Sequence, residues 1–235
     1  MHKMFINGEF VDALSGEVFP VENPATEETI DDVPRARAED ADRAVLAAVK
    51  AQDDWRFVPG IEKCELLHAA ARNMREHREQ IATLLTQEGG KPLIENMDEV
   101  EWVAACFDYY AEVGRHESGR VIPPVQRHQM NFVMKEPYGV VVCIVPWNYP
   151  LLLMSWKVAP ALMAGNAVII KPSELTPLST LLLAEIAFQD FPKGVVNVVT
   201  GYGQEAGEPL VGHRHTHVIA FTGSVATGKR IAQLA

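Results

Sequence analysis

The apolar positions change period midway along the chain. Between Glu39 and Gly114 they recur at helical spacing, and beyond Gly139 they gather into short unbroken runs. Ala41, Ala44, Val45, Ala48 and Val49 share one face of a helix with Trp55 at its end, and Glu39 and Asp40 in its first turn suit the helix dipole. A second helix is predicted over 62–87, with Leu66, Leu67, Ala70, Met74, Ile81, Leu84 and Leu85 turned inward. Gly89, Gly90 and Pro92 stop it. A third carries Ile94, Met97, Val100, Ala104, Phe107 and Ala111 and ends near Gly114. Ahead of these helices lies an arm in which an Asn7-Gly8 pair sits between Phe5-Ile6 and Glu9-Phe10, the signature of a short hairpin.

Over 119–136 the helical period is lost. Val121-Ile122-Pro123-Pro124 breaks any helix, and Met130, Phe132 and Met134 then alternate with Gln129, Asn131 and Lys135. That alternation predicts a half-buried strand paired with the segment before it. Two strands cannot bury an apolar face by themselves, so the hairpin should lean on another domain or subunit.

The second half repeats strand and helix. A continuous apolar run at 139–145 reads as a strand buried on both faces, and 167–170, 195–199 and 218–221 read as three further strands. Helices follow from Pro150, over 178–188 behind a Thr176 cap and a Pro177 in the first helical position, over 204–211, and from Ser224. The fold class is therefore α/β: a doubly wound, Rossmann-like parallel sheet with an N-terminal helical region and a protruding β-hairpin. The chain divides into an arm and helices (1–118), the hairpin (119–137) and the βα units (138–235).

Composition narrows the function. The formal net charge is −10, from 12 basic and 25 acidic residues in 1–118 against 9 and 6 in the remainder. That acidity disfavours nucleic acid as a partner. No apolar run approaches the ~20 residues that span a bilayer, so no membrane is expected, and the start of the chain has no signal core, so cytosol is the expected location. Cys64, Cys106 and Cys143 are odd in number and far apart, which excludes a disulfide framework and a CxxC metal knuckle. Cys64 and Cys106 fall within helices and are expected to be packing residues, and Cys143 a buried strand thiol. His213, His215 and His217 form an HxHxH run. It lies in a helix-to-strand connection at the end opposite the ligand loops, with no carboxylate or cysteine expected close by, so no metal is assigned to it.

The polar residues after each strand belong to one edge of a parallel sheet and should converge. They are Val145-Pro146-Trp147-Asn148-Tyr149-Pro150, Lys171-Pro172-Ser173-Glu174, Gly201-Tyr202-Gly203, and Phe221-Thr222-Gly223-Ser224. Free N–H groups at Gly223 and Ser224, before the last helix, could hold a pyrophosphate. The run from Gly223 to Lys229-Arg230 nearly matches a nucleotide-hydrolase phosphate loop, but Arg230 stands where a magnesium-binding Ser or Thr is required.

Pro146-Trp147-Asn148, Trp156-Lys157-Val158-Ala159-Pro160-Ala161-Leu162, Lys171-Pro172-Ser173-Glu174 and Phe221-Thr222-Gly223-Ser224 occur in the order and spacing of one family. From about Phe5 onward the sequence resembles the N-terminal half of the aldehyde dehydrogenase superfamily, its 148–174 stretch looking most like the betaine- and broad-substrate branch. The resemblance implies an NAD-dependent oxidation of an aldehyde to a carboxylic acid through a cysteine thiohemiacetal and thioester. It gives Asn148 the oxyanion-donor role and Lys171 and Glu174 the adenosine-ribose contacts, with NAD favoured over NADP because a carboxylate repels a 2′-phosphate. Ile144, Val145, Pro146, Trp147, Ser173, Gly203, Phe221, Thr222, Gly223, Ser224 and Gly228 complete the implied cofactor set. Of the six carboxylates after residue 118, only Glu174 is expected on a ligand-side loop. The family's nucleophilic cysteine and general-base glutamate have no counterpart among these 235 residues. This chain alone is accordingly expected to be inactive, and the complete enzyme a homodimer or homotetramer. The competing class is a non-catalytic nucleotide- or partner-binding protein.

Overall fold

The computed structural model of the chain describes residues 2–116 and 118–235. The Asn-Gly hairpin forms as expected: β1 (Met4–Ile6) and β2 (Glu9–Val11) are antiparallel, and Asn7 and Gly8 turn with φ of 56° and 76°. Positive φ at both residues gives a turn whose twist matches that of its strands. β3 (Val18–Asn23) and β4 (Glu28–Pro34) pair in a separate two-stranded sheet absent from the sequence expectation. The charged run of β4 hides its strand character, since only Val33 and Pro34 are buried.

Four helices follow where three were expected: α1 (Ala38–Trp55), α2 (Gly60–Glu76), α3 (Arg78–Gly89) and α4 (Leu93–His116). The expected 62–87 helix is broken at His77, whose backbone (φ −105°, ψ 19°) leaves the helical region. The apolar stripe explains the break. Between Met74 and Ile81 the inward positions belong to His77 and Arg78, and an unbroken helix would drive both into the core. In α4, Ile94 was expected inward but is 70% exposed, and Asn96 and Glu99 are buried instead.

β5 (Arg120–Ile122) and β6 (Asn131–Val133) form the expected hairpin, but it is not half-buried. Met130 is 81% and Phe132 61% exposed, because no described element covers this two-stranded face.

The sheet that carries the site contains β7 (Val140–Ile144), β8 (Ala167–Lys171), β9 (Val196–Val198) and β10 (Val218–Phe221), with α5 (Pro150–Met163), α6 (Leu178–Ala187), α7 (Glu208–Val211) and α8 (Val225–Leu234). The helix expected over 204–211 opens instead as a π-helical turn, Gly203–Gly207. Strand order is β10-β7-β8-β9-β1-β2, the first four parallel, with β1 antiparallel to β9 where Phe5 faces Val198. Strand alternation divides the core. Val141, Cys143, Val168, Ile170, Val196 and Val198 share one core with the buried residues of α2 to α6. Val140, Val142, Ala167 and Ile169 share the other with α1 and Leu210 of α7.

Candidate functional site

The loops at the C-terminal edge of the parallel strands enclose a cleft of about 510 Å³. Ile144, Val145, Pro146 and Trp147 line it from β7, Lys171, Ser173 and Glu174 from β8, Gly203 from the π turn, and Phe221, Thr222, Gly223 and Ser224 from β10. The residues singled out after the four strands therefore do converge. Of the residues given a cofactor or oxyanion role, two stand apart. Gly228 packs behind the cleft, where an added Cβ would come within 3.3 Å of the Phe221 ring. Asn148 lies exposed on the bend between β7 and α5, outside the lining.

Lys171 is the buried cation of the cleft, only 3% exposed. Its Nζ donates to the Pro172 carbonyl at 2.9 Å and lies 4.0 Å from Glu174, so an ammonium with three donors is under-satisfied. Burial pulls its pKa down to about 8, against the pull of Glu174. Lys157, half-buried on α5, donates to Thr222 Oγ1 at 2.6 Å and to the Leu153 carbonyl at 2.9 Å, tying α5 to the loop after β10. A Cβ at Gly203 would meet nothing within 4 Å, so the glycine leaves this wall of the cleft open.

Glu174 is not alone among the later carboxylates, contrary to expectation: Glu208 also lines the cleft. It accepts both Arg230 Nε and a second guanidinium nitrogen at 3.0 Å. Arg230, the residue that spoiled the phosphate-loop match, is thus engaged within this fold. Glu208 opens α7, and the π turn before it displaces the helix the sequence predicted, which is why its position was not legible.

The helices behind the loops start in two different ways. Thr176 was expected to cap α6, but Pro177 holds the cap position and the Thr176 hydroxyl has no partner among the described residues. The cap comes from α3 instead: Glu88 accepts the Leu178 and Ser179 N–H groups at 2.7 and 3.0 Å. Glu99 of α4 does the same for α5, accepting from the N–H groups of Leu151 and Leu152 at 3.1 Å each. Glu99 is fully buried and ion-paired to Lys91, whose Nζ sits 3.6 Å over the Tyr149 ring. Together these contacts fix the bend that presents Asn148. α8 differs, because its own Ser224 caps it, accepting from the Thr227 N–H at 3.1 Å. Nothing local in the sequence announces Glu88 or Glu99; each sits in a helix of the first half, far along the chain from the N–H groups it binds.

The cysteines are unsuited to nucleophilic work at this cleft. Burial pushes the Cys143 thiol up to about 12 despite Lys157 nearby, and raises those of Cys106 and Cys64 as well. The histidine run does have a carboxylate close in space, a correction to its sequence reading: His213 Nε2 lies 3.1 Å from Asp42 of α1. Its partners are otherwise structural. The Val140 N–H donates to His217 Nδ1 at 3.1 Å, and the His215 N–H to His213 Nδ1 at 3.1 Å. Among the described residues, no helix is long and apolar enough to cross a membrane.

Comparison with known proteins places this geometry. The chain is 45% identical to "Aminoaldehyde dehydrogenase 2" of Zea mays over 97% of its length and 47% of that protein's. Betaine aldehyde dehydrogenase from Staphylococcus aureus, solved in complex with NAD+, superposes with a TM-score of 0.97 at 36% identity, covering 100% of this chain and 47% of that one. A 3,6-anhydro-L-galactose dehydrogenase solved with NADP superposes at 0.96 and 37% identity, over 99% of this chain and 49% of that one. The chain spans about half the length of the curated relatives it matches. The pattern of the aldehyde dehydrogenase family runs through residues 10–235. On that match and on the shared fold, the chain belongs to the aldehyde dehydrogenase family.

Proposed function

We propose that this chain is the cofactor-binding part of an NAD-dependent aldehyde dehydrogenase that oxidises an aldehyde to a carboxylic acid through a cysteine thiohemiacetal and thioester. One observation carries the reading. Of the helix starts at the ligand edge, α5 and α6 already hold the carboxylates of Glu99 and Glu88, while that of α8 lies open on the cleft beside Lys171. A helix start with spare N–H groups and a positive dipole end receives an anion, and here that anion is the pyrophosphate. The residues fit such a ligand. Lys171 has donors to spare for a ribose hydroxyl, Glu174 stands where it can accept from the same ribose, and Gly203 leaves the wall open.

When bound, the nicotinamide accepts the hydride. Ile144, Val145, Pro146 and Trp147 form the wall nearest the bend, so a ligand lying across the cleft is directed from α8 towards Asn148. The Asn148 side-chain amide can donate to an oxyanion without carrying charge, on a backbone held by Glu99 and Lys91. The raised thiol pKa values of Cys64, Cys106 and Cys143 support the reading that none of these three is the nucleophile. The substrate class we propose is an amino- or betaine-type aldehyde, after the relatives named for them. The uncovered apolar face of β5 and β6 supports association into a homo-oligomer.

Cofactor choice tests the reading. In the complete enzyme, Glu174→Ala should weaken NAD use and relax discrimination against NADP. Steady-state kinetics with both cofactors that leave their ratio unchanged would overturn the ribose assignment.

A further inference from the structure

Away from the cleft, α2 and α4 bring a second set of reactive side chains together. Cys64 and His68 lie one turn apart on α2, and Asp108 and Glu112 one turn apart on α4. Where the helices pack, Cys64 Sγ, a His68 ring nitrogen and a Glu112 oxygen all fall within 4.8 Å of one another. His68 Nε2 is 2.9 Å from Glu112 Oε1, and the Cys64 thiol points to the same oxygen at 3.8 Å. On its other side, His68 Nδ1 lies 2.6 Å from Asp108 Oδ1. Arg75 holds the second Asp108 oxygen at 2.7 Å and is itself anchored by Glu101 at 2.9 Å.

We infer that this cluster is a binding site for zinc or a similar transition-metal dication, with Cys64 Sγ, His68 Nε2 and Glu112 Oε1 as its ligands. The donor set decides the class of ion: a thiolate with an imidazole suits zinc and its neighbours, not calcium or magnesium. The spacing fits. Zinc holds such ligands at about 2.0–2.3 Å in a tetrahedron, so neighbouring donors stand roughly 3.3–3.8 Å apart, and the trio needs side-chain adjustments of only about 1 Å.

The surroundings fit as well. A metal-bound histidine donates its remaining N–H to a carboxylate, which fixes the tautomer and aims the free nitrogen at the ion. Asp108 stands in that place, held by Arg75, which Glu101 anchors in turn. Arg115 approaches Glu112 through Oε2 at 3.5 Å, which leaves Oε1 to the ion. Glu112 also lines a surface cleft with Arg75, Asp108, Tyr109 and His116, so the site lies at the edge of solvent. Such an ion would clip α2 to α4, the helix whose Glu99 holds the bend at Asn148.

Cobalt titration tests the assignment on the intact, metal-stripped protein. One equivalent of Co²⁺ should give a thiolate-to-cobalt charge-transfer band that Zn²⁺ then abolishes. Cys64→Ser and His68→Gln should each remove the band, and Cys106→Ser should keep it. Asp108→Asn should keep the band but weaken Zn²⁺ binding by about 10–100-fold. Absence of stoichiometric uptake, or a band that survives Cys64→Ser or His68→Gln, would overturn the site. Cys64 is only 2% exposed; should its variant fail to fold, His68→Gln at its half-buried position decides alone.

Discussion

Helices α5 and α6 begin on carboxylates lent by other helices, whereas α8 begins on its own serine. Glu99 and Glu88 are buried beside the helix starts they serve, and Ser224 is exposed at the cleft. On the proposed reading, the difference separates scaffold from receptor. A helix start filled by a buried carboxylate is fixed and closed to any other anion, while one capped at a single N–H keeps donors for a ligand. The acidic first half of the chain thus holds two loops of the site in place without entering the cleft, and the βα half supplies the groups that line it.

The sharpest way to break the comparison is to remove a borrowed cap. Glu99→Ala deprives two N–H groups of their acceptor and strands Lys91, so we expect a loss of about 3–5 kcal/mol in urea unfolding. A loss no larger than that of an exposed cap would remove the distinction between the two kinds of start. Next in size is the group that the Glu99-held bend presents. In the complete enzyme, Asn148→Ala should raise the barrier of the acylation step by ~2.7–4 kcal/mol while NAD affinity stays nearly intact. Equal losses of both would point to collapse of the bend instead.

Glu88 should reveal itself through pH. Burial pushes its carboxyl up to about 7 from an ordinary 4.5, although the N–H groups it accepts from pull the other way. Between those values the folded chain keeps a proton that the unfolded chain has lost. The contribution of Glu88 to stability is therefore full below pH 4.5 and is lost as pH rises through 7, by about 3 kcal/mol for a shift of that size. Glu88→Gln cannot ionise and should flatten that decline in thermal melts recorded across the window; an unchanged slope would show that Glu88 is not its source. The smallest effect belongs to α8. Ser224→Ala should cost only ~1 kcal/mol of stability yet weaken NAD in calorimetric titration. If NAD affinity is untouched, α8 is not the phosphate receptor.

Much of this architecture is written in local pattern. The Asn7-Gly8 turn, the helix from Ala38 to Trp55, the four parallel strands and the cleft residues after them follow from period, turn chemistry and the geometry of a parallel sheet. The misses have physical causes of their own. The His77 break shows only as two polar residues on an otherwise apolar stripe, and β3 and β4 are too charged to alternate cleanly.

What the sequence determined by itself is most of the helices and strands and the edge at which the loops meet, because hydrophobic period and turn residues act over a few neighbours. Only the tertiary structure decided which carboxylates face which helix starts, and that Cys64, His68 and Glu112 share one patch. Those contacts join residues 44 to 91 positions apart. No local preference encodes them; they exist because helix packing takes a polar group out of water and leaves it the partner on the facing helix.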